Sequence, residues 1–418
     1  MLSTIRLGVL MDKIIVRGTG PLRGAVEVSG SKNAALPILF STLITRGISV
    51  IENLPDIGDV AVTLDVLRAF GVRVTVDSGA AYVDTRDAEY AVPSDSLTSK
   101  IRASTYVIGA SLSRFGRCSI GRFGGCDFSS RPIDLHLFAA KRLGAIERDG
   151  SLFAPTLRGA RIDFPIPSVG ATVNALIMAA GADGETVIRG FAREPHINAL
   201  IDFLRSAGAE ISLSHSEIRV KGRPLHGGRI KIIGDMIEAG TYLAAGLVSG
   251  GEVTVGGVDT ETMGSLLSTL SLLGAELSVG TDSITAKSPS VGFPVRISAE
   301  PYPGFPTDLQ PIVAPLLARY AGGIIRDSVW RNRFSYLREI EKLGVISFPV
   351  GEGYIIKKSK IKSADACALD LRGGMACVLC ALAADGVSVI SSADTVLRGY
   401  ENLRDKLSVL GADVKIET

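Results

Sequence analysis

The chain has 418 residues, 46% of them hydrophobic, and 45 Lys and Arg stand against 43 Asp and Glu for a formal charge of +2. That length exceeds one compact core, so two domains are expected, and the balanced charge without single-sign blocks excludes a basic nucleic-acid face or a polyanion-binding tail. No apolar run is long enough for a membrane-spanning helix, and four histidines without ligand-like spacing argue against a protein-borne zinc site.

In chain order, the opening "MLSTIRLGVLMDKIIVRG" has one early arginine and a short apolar patch, with neither an h-region nor a small-residue cleavage site. Residues 1–11 read as an extension, and Met11 as a candidate initiator. From there a pattern recurs six times: a helical segment, a glycine, then a strand with alternating polarity. The copies are "LRAFGVRVTV", "AKRLGAIERD", "LRSAGAEISL", "LSLLGAELSV", "IEKLGVISFP" and "LSVLGADVKI". Their glycines, Gly71, Gly144, Gly208, Gly274, Gly344 and Gly411, lie 64–73 residues apart. Upstream of each is a second glycine and a second alternating strand, as in "RGISVIENL" and "GGEVTVGGV". A steady period of this kind marks a repeated supersecondary unit. Each helix is expected to stop at a left-handed glycine. The Ala-rich segments "VNALIMAAGA" and "AGTYLAAGLVSG" are apolar on nearly every face, which predicts buried helices with sheets outside. Five cysteines, an odd and scattered set, suit a reduced, cytoplasmic protein. Cys377 and Cys380 form a C-x-x-C inside "MACVLCALAA", read as two inert thiols on a buried helix.

Six such units match the enolpyruvyl transferases. The motifs "SGSKNAALPILFSTL" (29–43), "RASTYVIGASLSRFG" (102–116), "GGCDFSSRPIDLH" (124–136), "SVGATVNALIMAA" (168–180), "FPTDLQP" (305–311), "NRF" (332–334), "DLRGG" (370–374) and "RGYENLRDKLSVLGA" (398–412) resemble, in register from Met11 onward, the branch that acts on UDP-N-acetylglucosamine. The sister branch acting on shikimate phosphate shares the fold but lacks the Gly-Gly-Cys loop. The resemblance implies an α/β fold of two inside-out barrels, three βαβαββ-like units in each. It also implies a discontinuous domain of residues 12–31 plus 234–418, and a second domain of residues 32–233. The implied reaction moves the enolpyruvyl group of phosphoenolpyruvate to the acceptor's 3′-hydroxyl and releases phosphate, in a cytoplasmic monomer that uses no cofactor or metal and binds neither nucleic acid nor membrane.

That chemistry needs cations for a small polyanion, a base for the hydroxyl and an acid for a methylene carbon. By resemblance, Lys32 contacts the phosphate with Arg131 and Arg102, while Arg333, Arg372 and Arg398 face the carboxylate. Arginine suits this because its planar fork pairs bidentately with carboxylate or phosphate. Asp308 reads from its surroundings as a helix-start carboxylate; the resemblance makes it the base. Asn33 is implied to hold the sugar, and Asp370 is a second carboxylate at the reacting centre. Cys126, on a Gly-Gly loop beside arginines, is implied to be the proton donor and the target of the epoxide fosfomycin. Pro132, Ile133, Asp134 and Leu135 are expected along the nucleotide, Ser168, Val169 and Gly170 complete its pocket, and Val329 lies against the acceptor. His136 is open between a structural and a binding role. Two departures stand out: Ile166 replaces a family lysine, and Arg331 replaces a family glutamate. They read either as compensating drift within one pocket or as the mark of a paralogue with another nucleotide acceptor. A third reading, from another class, is a binding protein that has lost catalysis.

Overall fold

The structure, a computed structural model, describes residues 12–124 and 132–417. Its buried apolar side chains form two clusters. One joins Ile14, Val16, Leu22 and Val26 to residues between Ile237 and Val414. The other runs from Ala34 to Ile232. Among the described residues each cluster is wrapped by three small sheets, five of the six with four strands and one with three. The first lobe's sheets include Ile48–Glu52, Arg117–Ser119 and Glu185–Arg189; the second lobe's include Glu252–Gly256, Gly323–Asp327 and Val387–Ser391. Strand register sets the inner face. Ile14 lies opposite Ile390 and Ile416, and the alternate residues Ile14 and Val16 are fully buried.

Helices fill the inside, which makes this the two-domain inside-out α/β fold. Three of them, Met236–Ser249, Gln310–Tyr320 and Leu371–Ala383, pack on one another in the second lobe. Lys32–Thr42, Val107–Phe115 and Val169–Ala180 take the equivalent places in the first. Every residue from Ala171 to Ala180, and from Ile237 to Ser249, is buried. This follows from sequence: a helix apolar all round has no polar face to give to water. The six repeat glycines all adopt the left-handed conformation, with φ between 77° and 106°. The Leu371–Ala383 helix carries Cys377 and Cys380 fully buried, and burial pushes both thiols up.

Among the described residues the chain crosses between the lobes twice, and the crossings are hydrogen-bonded to each other. Ser31 N donates to Ile233 O at 2.7 Å, and Asp235 N donates to Ser29 O at 3.0 Å. Glycine is required at both points. A Cβ on Gly30 would lie 2.0 Å from Asn53 O, and one on Gly234 would lie 1.9 Å from Gly257 O. A buried cluster braces the crossing: Lys406 Nζ donates to Glu238 Oε1 at 2.7 Å and to Ser29 Oγ at 2.6 Å, while Ser29 N donates to Glu238 Oε2 at 2.7 Å.

Candidate active site

All six inner helices begin at the same place. Lys32, Tyr106, Val169, Met236, Asp308 and Leu371, at or beside those starts, line one cleft of about 1060 Å³ between the lobes. Helix N-termini carry partial positive charge and unpaired N–H groups, so their convergence favours an anion before any side chain is counted.

The side chains add to this. Asp308 lies in the short helical turn Thr307–Leu309 just before Gln310. Among the described residues it caps no helix; its carboxylate is gripped by two buried arginines. Arg333 Nη1 donates to Oδ1 at 2.7 Å, and Arg372 donates to Oδ2 through Nη2 at 3.3 Å and Nε at 3.4 Å. Burial opposes its ionisation, but Arg333 and Arg372 outweigh it, and the carboxyl is held well below the usual range. Arg372 also lies 5.2 Å from the Tyr400 ring centroid. Behind them, buried Asp327 accepts from Thr307 Oγ1 at 2.6 Å and from the backbone N–H groups of Val329 at 3.0 Å and Trp330 at 2.7 Å. It therefore fixes both Asp308's turn and the segment that presents Val329 to the cleft.

Opposite, Lys32 Nζ donates to Asp59 Oδ2 at 3.0 Å, and Arg398 Nε lies 3.9 Å from Asp59 Oδ1. The Lys32 backbone N–H donates to Asp235 Oδ2 at 3.1 Å, while Asp235 Oδ1 caps its own helix through Ile237 and Glu238. Asp235 thus ties together helix starts from both lobes. At the far rim, Glu194 of the first lobe accepts a backbone hydrogen bond from Tyr302 of the second, and burial raises its carboxyl above the usual range.

Of the residues expected from sequence, Lys32, Asn33, Arg102, Pro132, Asp134, Leu135, Ser168, Val169, Gly170, Asp308, Val329, Arg333, Asp370, Arg372 and Arg398 all line this cleft. Ile133 does not; it packs against the first lobe's core. Cys126 and Arg131 lie outside the described residues. Two residues have structural work as well. Ser168 caps Val169–Ala180, accepting from Ala171 N at 3.4 Å, and Asp370 Oδ1 caps Leu371–Ala383 through Arg372 N at 3.0 Å and Gly373 N at 2.9 Å. Arg102 Nη2 donates to Pro132 O at 3.4 Å, which joins the two motifs along one wall. His136 is buried beside Gly170, with Nδ1 2.7 Å from Asn174 Nδ2. Burial, reinforced by Arg102, pushes it down to about 4, so the ring is neutral and Nδ1 accepts. Asn174 also donates to Thr105 O at 3.1 Å and accepts from Gly109 N at 2.7 Å. His136 is therefore held by structure at the cleft's edge.

Ile166 lines the cleft and is 62% exposed. Arg331 does not replace a cation there: it pairs with Glu352 at 3.1 Å, both side chains at least 70% exposed, and it does not line the cleft. Compensation within one pocket is not what the geometry supports. Sequence reading passed over Asp59, Asp235 and Asp327. The only signal each gives is a carboxylate near a helix or loop start, which ordinarily marks a cap. Among the described residues no group of three His, Cys, Asp or Glu side chains could hold a metal ion, and no helix is long and apolar enough to cross a membrane.

Residues 16–407 match the family model for EPSP synthase (3-phosphoshikimate 1-carboxyvinyltransferase). The chain is 38% identical over 419 residues to the UDP-N-acetylglucosamine 1-carboxyvinyltransferase of Chlorobium limicola, covering 97% of this chain and 99% of that one. It is 39% identical over 425 residues to the enzyme of the same name from Azorhizobium caulinodans, again over 97% and 99%. Among solved structures, the enolpyruvyl transferase NikO from Streptomyces tendae superposes with a TM-score of 0.88 at 26% identity, over 98% of this chain and 99% of that one. EPSP synthase from Acinetobacter baumannii, at 17% identity and a TM-score of 0.73 over 98% and 100%, shares the fold.

Proposed function

We propose the roles that follow from one fact: this chain belongs to the EPSP synthase family of enolpyruvyl transferases, with the UDP-N-acetylglucosamine 1-carboxyvinyltransferases as relatives over its full length. It transfers the enolpyruvyl group of phosphoenolpyruvate to the 3′-hydroxyl of UDP-N-acetylglucosamine and releases phosphate, the first committed step of peptidoglycan synthesis. It works as a cytoplasmic monomer without a cofactor, apart from nucleic acid and membrane. Residues 12–31 with 234–418 form one domain and residues 32–233 the other.

The observation that carries the mechanism is the Asp308 carboxylate between Arg333 and Arg372, facing Lys32 and Arg398 across a cleft of converging helix starts. While both arginines grip it, Asp308 is a weak base. The carboxylate of phosphoenolpyruvate competes for the same guanidinium groups, with Arg398 facing it from across the cleft. As it takes over their hydrogen bonds, Asp308 regains proton affinity where the acceptor hydroxyl must lose a proton. The hydroxyl oxygen then bonds to C2 and its proton passes to Asp308, while C3 gains a proton from Cys126. The resulting ketal loses the C3 proton again and expels phosphate, whose charge is carried by Lys32, Arg102 and Arg131. Asn33 holds the sugar and Asp370 stands at the reacting centre. Pro132 to Leu135, Ser168, Val169, Gly170 and Val329 frame the acceptor.

Phosphate release from phosphoenolpyruvate, measured with UDP-N-acetylglucosamine and with a panel of nucleotides, tests this. Turnover with UDP-N-acetylglucosamine and retention of the enolpyruvyl carbons in the product are expected. Turnover confined to another nucleotide would favour the paralogue, for which the uncompensated Ile166 speaks. No turnover with any acceptor would leave a binding protein.

A further inference from the structure

The cleft holds two assemblies of the same design: a carboxylate gripped by two cations. Asp308 with Arg333 and Arg372 is one; Asp59 with Lys32 and Arg398 is the other. The mechanism above uses the cations of both and leaves Asp59 unexplained. Asp59 is the second residue of the helix Gly58–Ala69, where a carboxylate is favoured by the dipole, and its residue exposure is 5%. It is pinned to the far lobe. Its backbone N–H donates to Arg398 O at 3.2 Å, and Asp56 N donates to Glu401 Oε1 at 3.0 Å. A Cβ on Gly58 would stand only 3.1–3.2 Å from Arg398 Cβ and Cα, so helix and arginine touch closely. The carboxylate itself is only half engaged. Oδ2 accepts from Lys32, while Oδ1 is buried, accepts no hydrogen bond among the described residues, and has Arg398 Nε 3.9 Å away. A buried carboxylate oxygen held only at that distance is a weak competitor for its cations.

We propose that Asp59 is the resident counter-anion of the phosphate site: it holds Lys32 when the site is empty, yields it to the phosphate of phosphoenolpyruvate, and takes it back as inorganic phosphate departs. This rests on the assignment of Lys32 to that phosphate. No bond is made or broken at Asp59, which acts only through the charge and position of Lys32 and Arg398. With Asp59 present, a negative charge stands against Lys32 at 3.0 Å; without it, a phosphate left on Lys32 is held harder.

The test is inorganic phosphate binding by calorimetry, together with phosphate inhibition against phosphoenolpyruvate, on wild type, Asp59→Asn, Asp59→Ser and Asp59→Glu. Both neutral variants should bind inorganic phosphate about ten- to a hundredfold more tightly, the scale of one charge-assisted contact. They should lower the KM for phosphoenolpyruvate, and lower kcat because release becomes slow. Asp59→Glu should stay near wild type. Phosphate binding that is unchanged or weaker in the neutral variants overturns the proposal. So does failure of both to fold while Asp59→Glu folds, since Asp59 is then a structural brace. If wild type binds phosphate without competition from phosphoenolpyruvate, or Lys32→Ala leaves phosphate binding intact, the assignment of Lys32 falls and the proposal with it.

Discussion

Replacing Asp308 by Asn keeps the shape of the side chain and removes its charge. Arg333 and Arg372, whose side chains are 6% and 3% exposed, then lose their shared counter-ion. Breaking a buried ion pair costs about 3–5 kcal/mol. Asp308 keeps 28% of its side chain exposed, so water and the Asn amide recover part of this, and a loss of about 1–3 kcal/mol is expected. At about 2–4 °C per kcal/mol for lobes of roughly 200 residues, Tm should fall by about 2–12 °C. The chemical effect is separate. With the base proposed at Asp308 removed, the enzyme should lose about 10²- to 10⁴-fold in kcat. The two effects part company when phosphoenolpyruvate is added. Its carboxylate supplies the missing counter-ion, so it should raise the melting temperature of the variant by more than that of wild type. Differential scanning fluorimetry with and without phosphoenolpyruvate, beside a phosphate-release assay, reads both. A smaller ligand-induced shift in the variant, or kcat within threefold of wild type, would refute the exchange of ion pairs.

Further outcomes follow from the same structure. His136 is kept neutral down to about pH 4, whereas an unfolded histidine titrates near 6.5; between those values the unfolded chain binds more protons. Stability should therefore fall as pH drops from about 6.5 to about 4, by up to about 3 kcal/mol for this group, and urea unfolding of His136→Gln across that range should give a flatter curve. A methyl on Gly109 would lie 2.6 Å from Asn174 Oδ1 and 3.0 Å from Asn174 O, so Gly109→Ala should cost about 1–3 kcal/mol through overpacking, read as a lower urea midpoint. Cys118, Cys377 and Cys380 are buried, with burial pushing the Cys118 thiol up to about 12. Fosfomycin is expected to alkylate Cys126 and to spare Cys118, Cys377, Cys380 and the half-buried Cys367, and peptide mass spectrometry finding the adduct on any of those four would sink the assignment of Cys126.

The fold was legible because its determinants are local. A glycine after each outer helix and apolar residues around each inner one are decisions taken within a dozen positions, and the left-handed Gly71 and Gly411 repeat one rule at either end of the chain. The cations of the site were legible for another reason: Lys32, Arg372 and Arg398 sit in motifs dense enough to name a family. What escaped was the carboxylates that organise them. Asp59 in "IGDVAV" and Asp235 in "IGDMIEAG" look like ordinary helix-start residues. Asp235 does cap a helix, but its second partner, Lys32, is 203 residues away. Arg331 failed in the opposite sense. Its neighbour Arg333 turns into the cleft while it turns out to Glu352, and chain order alone does not say which face a loop residue takes.

The paired crossing segments also bear on the order in which the two lobes can form. The segment between them, residues 32–233, has its own core and both ends at one point, so it can close as soon as it emerges. The strand Lys13–Arg17 cannot. Its neighbours are Val387–Ser391 and Asp413–Glu417, both made long after it. At about 5–20 residues per second, Ile14 and Val16 wait on the order of 20–80 s as exposed apolar edge before their partners exist. Lys13–Arg17, synthesised ahead of the segment it brackets, thus finds its place after that segment has closed, and until then its apolar residues are open to wrong partners.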